Sequence, residues 1–283
     1  MPVFEWSANG RHFHIREAET EADYHTVEEI QREVWGFSDL DIVPLATLIA
    51  TQHAGGMLLC AFENDRMIGF AYGFPAYEHG RASIHSHMLA VREDCRNFHA
   101  GSYLKLAQRE SALEKGLDQI TWTFDPLQSL NAHLNIAKLG VISRRYIVNF
   151  YGEATSSPLH QGFGTDRLWV TWEIASDRVK RRIIRDERPP QPDLSDYDPP
   201  ALVQSEEGRP RLAGLSPLSG NSCLIEIPSN ITSLKQRDPA AAIAWREATR
   251  AAFIAAIEAG FIVKEFFRLS EGDSTRSFYW LSR

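Results

Sequence analysis

From its N-terminal end the chain alternates short apolar runs with amphipathic stretches. HFHIR, His12 to Arg16, has the length and spacing of a first strand. Between Glu19 and Trp35 the positions Tyr24, Val27, Ile30, Gln31 and Val34 recur at intervals of three or four, which predicts a helix. Pro44 opens a second short helix, PLATLIATQHAG, which Gly55 and Gly56 end. MLLCAFE and MIGFAYGFPAY, joined by a turn at Asn64-Asp65-Arg66, read as two paired strands, and RASIHSHMLAV as another. Helical spacing returns from Asn97 to Lys115, with Tyr103, Leu106, Ala107 and Leu113 on one side and Gly116 as the stop. LDQITWTF predicts a strand, LQSLNAHLNIAKLG a helix, and RRYIVNFYGE and DRLWVTWEI two strands.

From Arg178 to Gly220 the periodicity lapses. This stretch holds seven of the fourteen prolines and runs such as KRRIIRDER. Residues 178–221 therefore read as a Pro-rich linker or wrapping arm between a first domain, 1–177, and a C-terminal extension, 222–283. In the extension SCLIEIP predicts a strand, and Asp238-Pro239 a cap and first turn for the helix that follows. FIVKEFFRL and RSFYWLSR predict two further strands. A strand-helix-strand-strand unit of about sixty residues buries little core alone. It is expected to pack on the first domain or on a second copy, as in a homodimer.

Composition narrows the function classes. With 43% hydrophobic and 24% charged residues, the 283-residue chain has an ordinary globular make-up. A net charge of -7 argues against binding nucleic acid or an anionic membrane, since phosphate is bound chiefly by Lys and Arg. Cys60, Cys95 and Cys223 are scattered and form no CxxC pair, so reduced thiols are expected, with neither a disulfide framework nor a zinc site. MPVFEWSANGRHF lacks a cationic start followed by an apolar core, and no run approaches the roughly 20 apolar residues of a membrane helix. A cytoplasmic location is the expectation.

The stretch from Met88 to Pro126 carries the most chemistry. MLAV, an apolar strand, runs into REDCRNFHAG, and that turn opens directly into a helix. A helix N-terminus presents unpaired N–H groups and partial positive charge, a natural seat for phosphates. Small residues at Ala100 and Gly101 let a ligand come close to the backbone. This stretch resembles the acyl-coenzyme A site of the GNAT acyltransferase superfamily, whose signature is Arg or Gln, two variable residues, Gly, one variable residue, then Gly or Ala. Arg96 and Gly101 match, and His99 stands at the first glycine. The element order from about Phe13 to Ile174 is similar to the GNAT fold, a mixed, mostly antiparallel twisted α/β sheet flanked by helices. WTFDPLQSLNAHLNIAKLG, NFYGE and DRLWVTWE resemble a branch of that superfamily with a comparable C-terminal extension, some members of which are associated with N-succinylation of amino acids.

The resemblance implies a role for each matched position. The pantetheine arm of an acyl-coenzyme A, acetyl or succinyl, pairs with the backbone of Met88, Leu89, Ala90 and Val91. One amide near Leu89 faces the thioester oxygen. The pyrophosphate rests on N–H groups from Asn97 through His99, Ala100 and Gly101 to Ser102, with Arg96 adding charge. A tyrosine usual in the helix SLNAHLNIAKLG, where it protonates the leaving thiolate, is absent, and the matching turn is Asn135-Ile136. Asn131 and Asn135, four residues apart, either address the cofactor or act as polar surface and cap residues.

Other residues admit more than one role. His85 and His87 share one strand face. His87 is either a general base, a substrate contact, half of a metal site, or a partly buried hydrogen-bonded histidine. Asp125 either holds the acceptor amine or caps the turn before Pro126. Tyr151 or Tyr146 supplies the acid, or the thiolate leaves unassisted. A side-chain lysine, pKa about 10.4, is scarcely neutral at pH 7.5, whereas an α-amine near 8 is about one quarter neutral. A site without a dominant carboxylate base therefore suits an α-amine. Arg246 and Arg250, on one helical face beside Trp245, either bind a carboxylate or phosphate or pair with acids such as Glu247. Together these readings predict direct acyl transfer to a small-molecule amine such as an amino acid, without metal. A non-catalytic acyl-coenzyme A sensor and a protein N-acetyltransferase are the alternatives.

Overall fold

A computed structural model describes residues 4–152, 163–191, 202–215, 218, 220–272 and 274–283. They form two compact units, one from residues 4–122 with Glu173–Ala175, the other from residues 123–152, 163–172 and the described chain from Ser176 on. Both are mixed α/β, with a mostly antiparallel sheet and helices.

The first unit opens with a hairpin, β1 (Phe4–Ala8) and β2 (Arg11–Glu17), turned by Asn9 and Gly10 at positive φ. That pair is the favoured content of a tight hairpin turn. The sequence pattern predicts β2 only. Helix α1 (Glu21–Trp35) begins at Thr20, which accepts the Asp23 N–H while the Asp23 carboxylate accepts the Thr20 N–H. Helix α2 (Leu45–His53) starts after Pro44, as expected. Strands β3 (Met57–Glu63), β4 (Arg66–Glu78) and β5 (Arg81–Val91) then add to the hairpin in antiparallel order.

Strand β3 is apolar on both faces because helices cover both. Leu58, Cys60 and Phe62 pack with Val27, Ile30 and Leu48 on the α1/α2 side. Leu59 and Ala61 pack with Ala100, Leu104 and Ala107 of helix α3 (Ala100–Glu114) on the other. The helix expected from Asn97 to Lys115 is interrupted: a 3-10 turn covers Glu93–Phe98, and His99 at φ 62° separates it from α3. Its buried face also differs from the expected one, taking in Lys105, Gln108, Arg109 and Ser111 among the apolar residues. Strand β6 (Gln119–Phe124) pairs parallel to β5.

The second unit holds β7 (Ile142–Ile147), which starts two residues before the expected run and gives way to turns from Val148, the expected β8 (Arg167–Glu173) and the C-terminal extension. SLNAHLNIAKLG is only partly α-helical. A turn of α4 (Ser129–Ala132) passes into a π-helix, His133–Lys138, closed by Leu139 N–H to Leu134 O at 2.9 Å. The segment read as a linker carries α5 (Asp177–Ile183) and a hairpin, β9 (Val203–Glu206) with β10 (Arg209–Leu212). Strand β11 (Ser222–Ile227) is followed by α6 (Ile231–Arg237) and α7 (Pro239–Glu258). Asp238 caps α7 through the Ala241 N–H at 2.9 Å. Strands β12 (Ile262–Glu271) and β13 (Ser274–Ser282) complete the order β8-β7-β12-β13-β11-β9-β10. Phe253 of α7 anchors the core, stacked on Tyr146 and edge-on to Tyr279.

Candidate active site

The first unit's distinctive feature is an irregularity in β5. Its ladder with β4 runs in step from Gly69–Val91 to Tyr72–Met88, then resumes at Gly73–Ser86, so His87 is an extra residue. Such a bulge bends a strand and sharpens its twist. Position 73 has to be glycine, because a Cβ there would lie 2.8 Å from Ile84 Cγ2 and 3.0 Å from His85 O. The parallel ladder between β5 and β6 holds only Ile84–Ile120 and His85–Thr121. It ends where the bulge begins.

Beyond that point the open edge of β5 can be assigned. Arg92 N–H donates to Ile68 O at 2.8 Å, so its peptide group faces β4. Alternation along a strand then turns the peptide groups of Ala90 and Met88 toward β4 and those of Val91 and Leu89 the other way. The approach of the Ala90 carbonyl to Gly69 agrees with this. Among Met88, Leu89, Ala90 and Val91, two thus present backbone donors and acceptors that β4 does not use.

The chain next turns into α3. Ser102 and Tyr103 N–H groups close on His99 O at 2.9 and 3.1 Å, leaving those of Ala100 and Gly101 as first-turn donors the helix cannot satisfy. His99 occupies the left-handed region at φ 62°, ψ 11°, where glycine is the default. The backbone thus keeps the conformation a glycine would supply, at about 1 kcal/mol of strain. Arg96, Asn97 and His99 are exposed, Ala100 is buried, and Gly101 and Ser102 lie between.

His85 and His87 flank the end of the parallel ladder. His85 Nδ1 lies 3.0 Å from Thr121 Oγ1, and burial, aided by His87 and Lys105, holds its pKa down to about 4. Burial also lowers His87, whose ring stands 6.2 Å from Tyr72 and 5.6 Å from Phe74. Both imidazoles are therefore neutral near pH 7 and able to accept a proton. Behind them Lys105 Nζ donates to Ser86 Oγ at 2.8 Å and lies 3.8 Å from the Trp122 ring centroid, and burial lowers its pKa to about 7. No apolar periodicity announces this lysine, since Gln108 and Arg109 are buried beside it.

The remaining candidates belong to the second unit. Asp125 is buried, with Oδ1 accepting the Leu127 N–H at 2.9 Å and Oδ2 paired with Arg246 Nη2 at 2.7 Å. Asn131 is exposed and Asn135 buried, so the π-helix does not give them a common environment. Tyr151 is exposed, its hydroxyl 3.5 Å from Thr123 Oγ1. Tyr146 donates to Asp166 Oδ2 at 2.7 Å, and burial pushes its pKa well up. Arg250 pairs with Asp166 through two bonds, at 2.8 and 2.9 Å. The partners of Arg246 and Arg250 are thus buried aspartates, not surface acids. Among the described residues no group of three or more His, Cys, Asp or Glu is placed to hold a metal, and no helix is long and apolar enough to cross a membrane.

A strand edge opened by a bulge thus leads into a helix N-terminus, and the unused backbone donors of both are suited to an extended anionic ligand. Residues 15–140 match the Acetyltransferase (GNAT) family, and this part of the chain is a GNAT-family domain. Its fold is similar to that of the ribosomal-protein-S18-alanine N-acetyltransferase from Escherichia coli, at 15% identity over 58% of this chain and 95% of that one, with a TM-score of 0.47. An aminoglycoside 6'-acetyltransferase type Ii matches at 17% identity over 57% and 97%, with a TM-score of 0.44. A GNAT family acetyltransferase from Elizabethkingia anophelis with acetyl-CoA bound matches at 16% identity over 61% and 97%, with a TM-score of 0.42. No curated protein matches the sequence.

Proposed function

We propose that the chain transfers an acyl group, acetyl or succinyl, from acyl-coenzyme A to the amine of a small molecule such as an amino acid. The observation that carries this reading is the edge of β5 past His87, with the peptide groups of Leu89 and Val91 turned away from β4 just before the N-terminus of α3. A pantetheine arm has amides spaced to pair with such an edge. A diphosphate fits the Ala100 and Gly101 N–H groups, with Arg96 nearby in sequence.

In this reading the amine nitrogen bonds to the thioester carbonyl carbon while the Leu89 N–H steadies the oxyanion, an interaction able to contribute about 3 kcal/mol. Collapse breaks the C–S bond and releases the thiolate, and the ammonium proton passes to the neutral His87 imidazole. A base of this strength favours an α-amine over a lysine side chain, whose deprotonation at pH 7.5 costs roughly 4 kcal/mol. Asp125, Tyr151, Asn131 and Asn135 belong to the other unit and are given no step.

The experiment is calorimetry with acetyl- and succinyl-coenzyme A, followed by thiol release against a panel of amino acids. Saturable binding with acceptor-dependent thiol release supports the proposal. Binding without turnover on any acceptor assigns the site to a sensor, and no binding removes both.

A further inference from the structure

The second unit contains a buried guanidinium whose hydrogen bonds are incomplete. Arg246, on α7, is only 3% exposed. Its Nη2 donates to Asp125, but Nε and Nη1 have no acceptor among the described residues. Folded proteins rarely bury donors without partners, and a charged group left so is especially unfavourable.

Neighbouring acceptors are already engaged. Asp125 has its other oxygen on the Leu127 N–H. Asp166 takes the Tyr146 hydroxyl, the Asn149 N–H at 3.0 Å and both Arg250 bonds. Phe163 covers one face of the guanidinium, 4.5 Å from Cζ, so a partner for the unused N–H bonds has to lie in the guanidinium plane.

An anionic acceptor completes this arrangement, and its charge is limited by the surroundings. Asp125 already offsets part of the Arg246 charge, and a carboxylate brings one charge on a planar group that matches a guanidinium, where a phosphate dianion brings two. We infer that Arg246 anchors a binding site in the second unit for a small organic molecule bearing a carboxylate. The inference is independent of the acyl-transfer reading, whose residues lie in the first unit.

The test uses the full-length chain and three acids, acetate, propionate and phenylacetate, each against its neutral amide, with inorganic phosphate alongside. Calorimetry should show at least one acid binding tenfold or more tighter than its amide. One arginine Nε–H resonance should shift with that acid and stay still with the amide. Two variants locate the site: Arg246→Lys, which keeps a cation for Asp125 but loses Nε, and Asp125→Asn combined with Arg246→Met, which removes both charges. Each folded variant should lose at least tenfold in acid binding. Equal binding of acids and amides, no acid binding, phosphate binding tighter than every acid, an unmoved Nε–H spectrum, or a folded variant binding like the wild type would each overturn it.

Discussion

Gly101 offers a substitution whose effects on folding and on ligand should run in opposite directions. A Cβ at this position would meet only Leu89 Cδ2, at 3.5 Å, an ordinary contact. The free protein therefore has room for a Cβ. Replacing a helical glycine by alanine gains up to about 1 kcal/mol of stability, and by valine roughly half as much. Binding should respond otherwise. If the Ala100 and Gly101 N–H groups hold a diphosphate, each such bond to a charged acceptor is worth about 1.5–3 kcal/mol. The methyl groups of valine stand where the phosphate must approach, and losing both bonds weakens binding by at least about 3 kcal/mol, roughly a hundredfold. Alanine, which the family signature also admits at this position, should bind within about threefold of the wild type. Thermal unfolding and calorimetry with acetyl-coenzyme A measure the two quantities on the same samples. A folded Gly101→Val chain that binds acetyl-coenzyme A as tightly as wild type would refute the reasoning.

Three further outcomes follow from the titrating groups. The folded pKa of His85, about 4, lies below the ordinary 6.5, so the unfolded chain takes up this proton first. His85's contribution is complete above pH 6.5 and fades as pH falls toward 4, by about 3 kcal/mol, and His85→Gln should flatten that part of the stability profile; an unchanged slope contradicts it. Lys105, near 7 against an ordinary 10.5, penalises folding at neutral pH by about 4 kcal/mol. Allowing about 1 kcal/mol for each hydrogen bond, to Ser86 and Gln108, Lys105→Met should still stabilise by about 2 kcal/mol at pH 7 in denaturant titration, with the gain shrinking toward pH 10. For His87, lowered by burial, the acid limb of kcat/KM should lie below pH 6.5. His87→Gln should abolish that limb and reduce the rate by about 10²- to 10⁴-fold, and a limb that survives the substitution removes the histidine from the base role.

Much of the fold was legible because its cores are built from periodic apolar residues. Val27 and Ile30 of α1 and the strands from Met57 to Val91 appear where their spacing puts them. The Asn9-Gly10 hairpin is equally legible, since that dipeptide is a strong turn signal. Other features leave no such trace. A bulge at His87 depends on what stands opposite, a glycine at 73, and strand periodicity does not register it. The break at His99 falls on a residue that seldom adopts positive φ, so helical spacing alone runs straight through it. Lys105 and Arg246 are buried through polar and ionic partners distant in sequence, which no local pattern encodes. The hairpin at residues 203–212 lies in a segment whose proline content resembles that of a linker.

Amide hydrogen exchange on the full-length chain with and without saturating acetyl-coenzyme A tests the central claim most directly. The account predicts slower exchange at the Leu89, Val91, Ala100 and Gly101 amides when the thioester is present. Unchanged exchange at all four under saturation would contradict it.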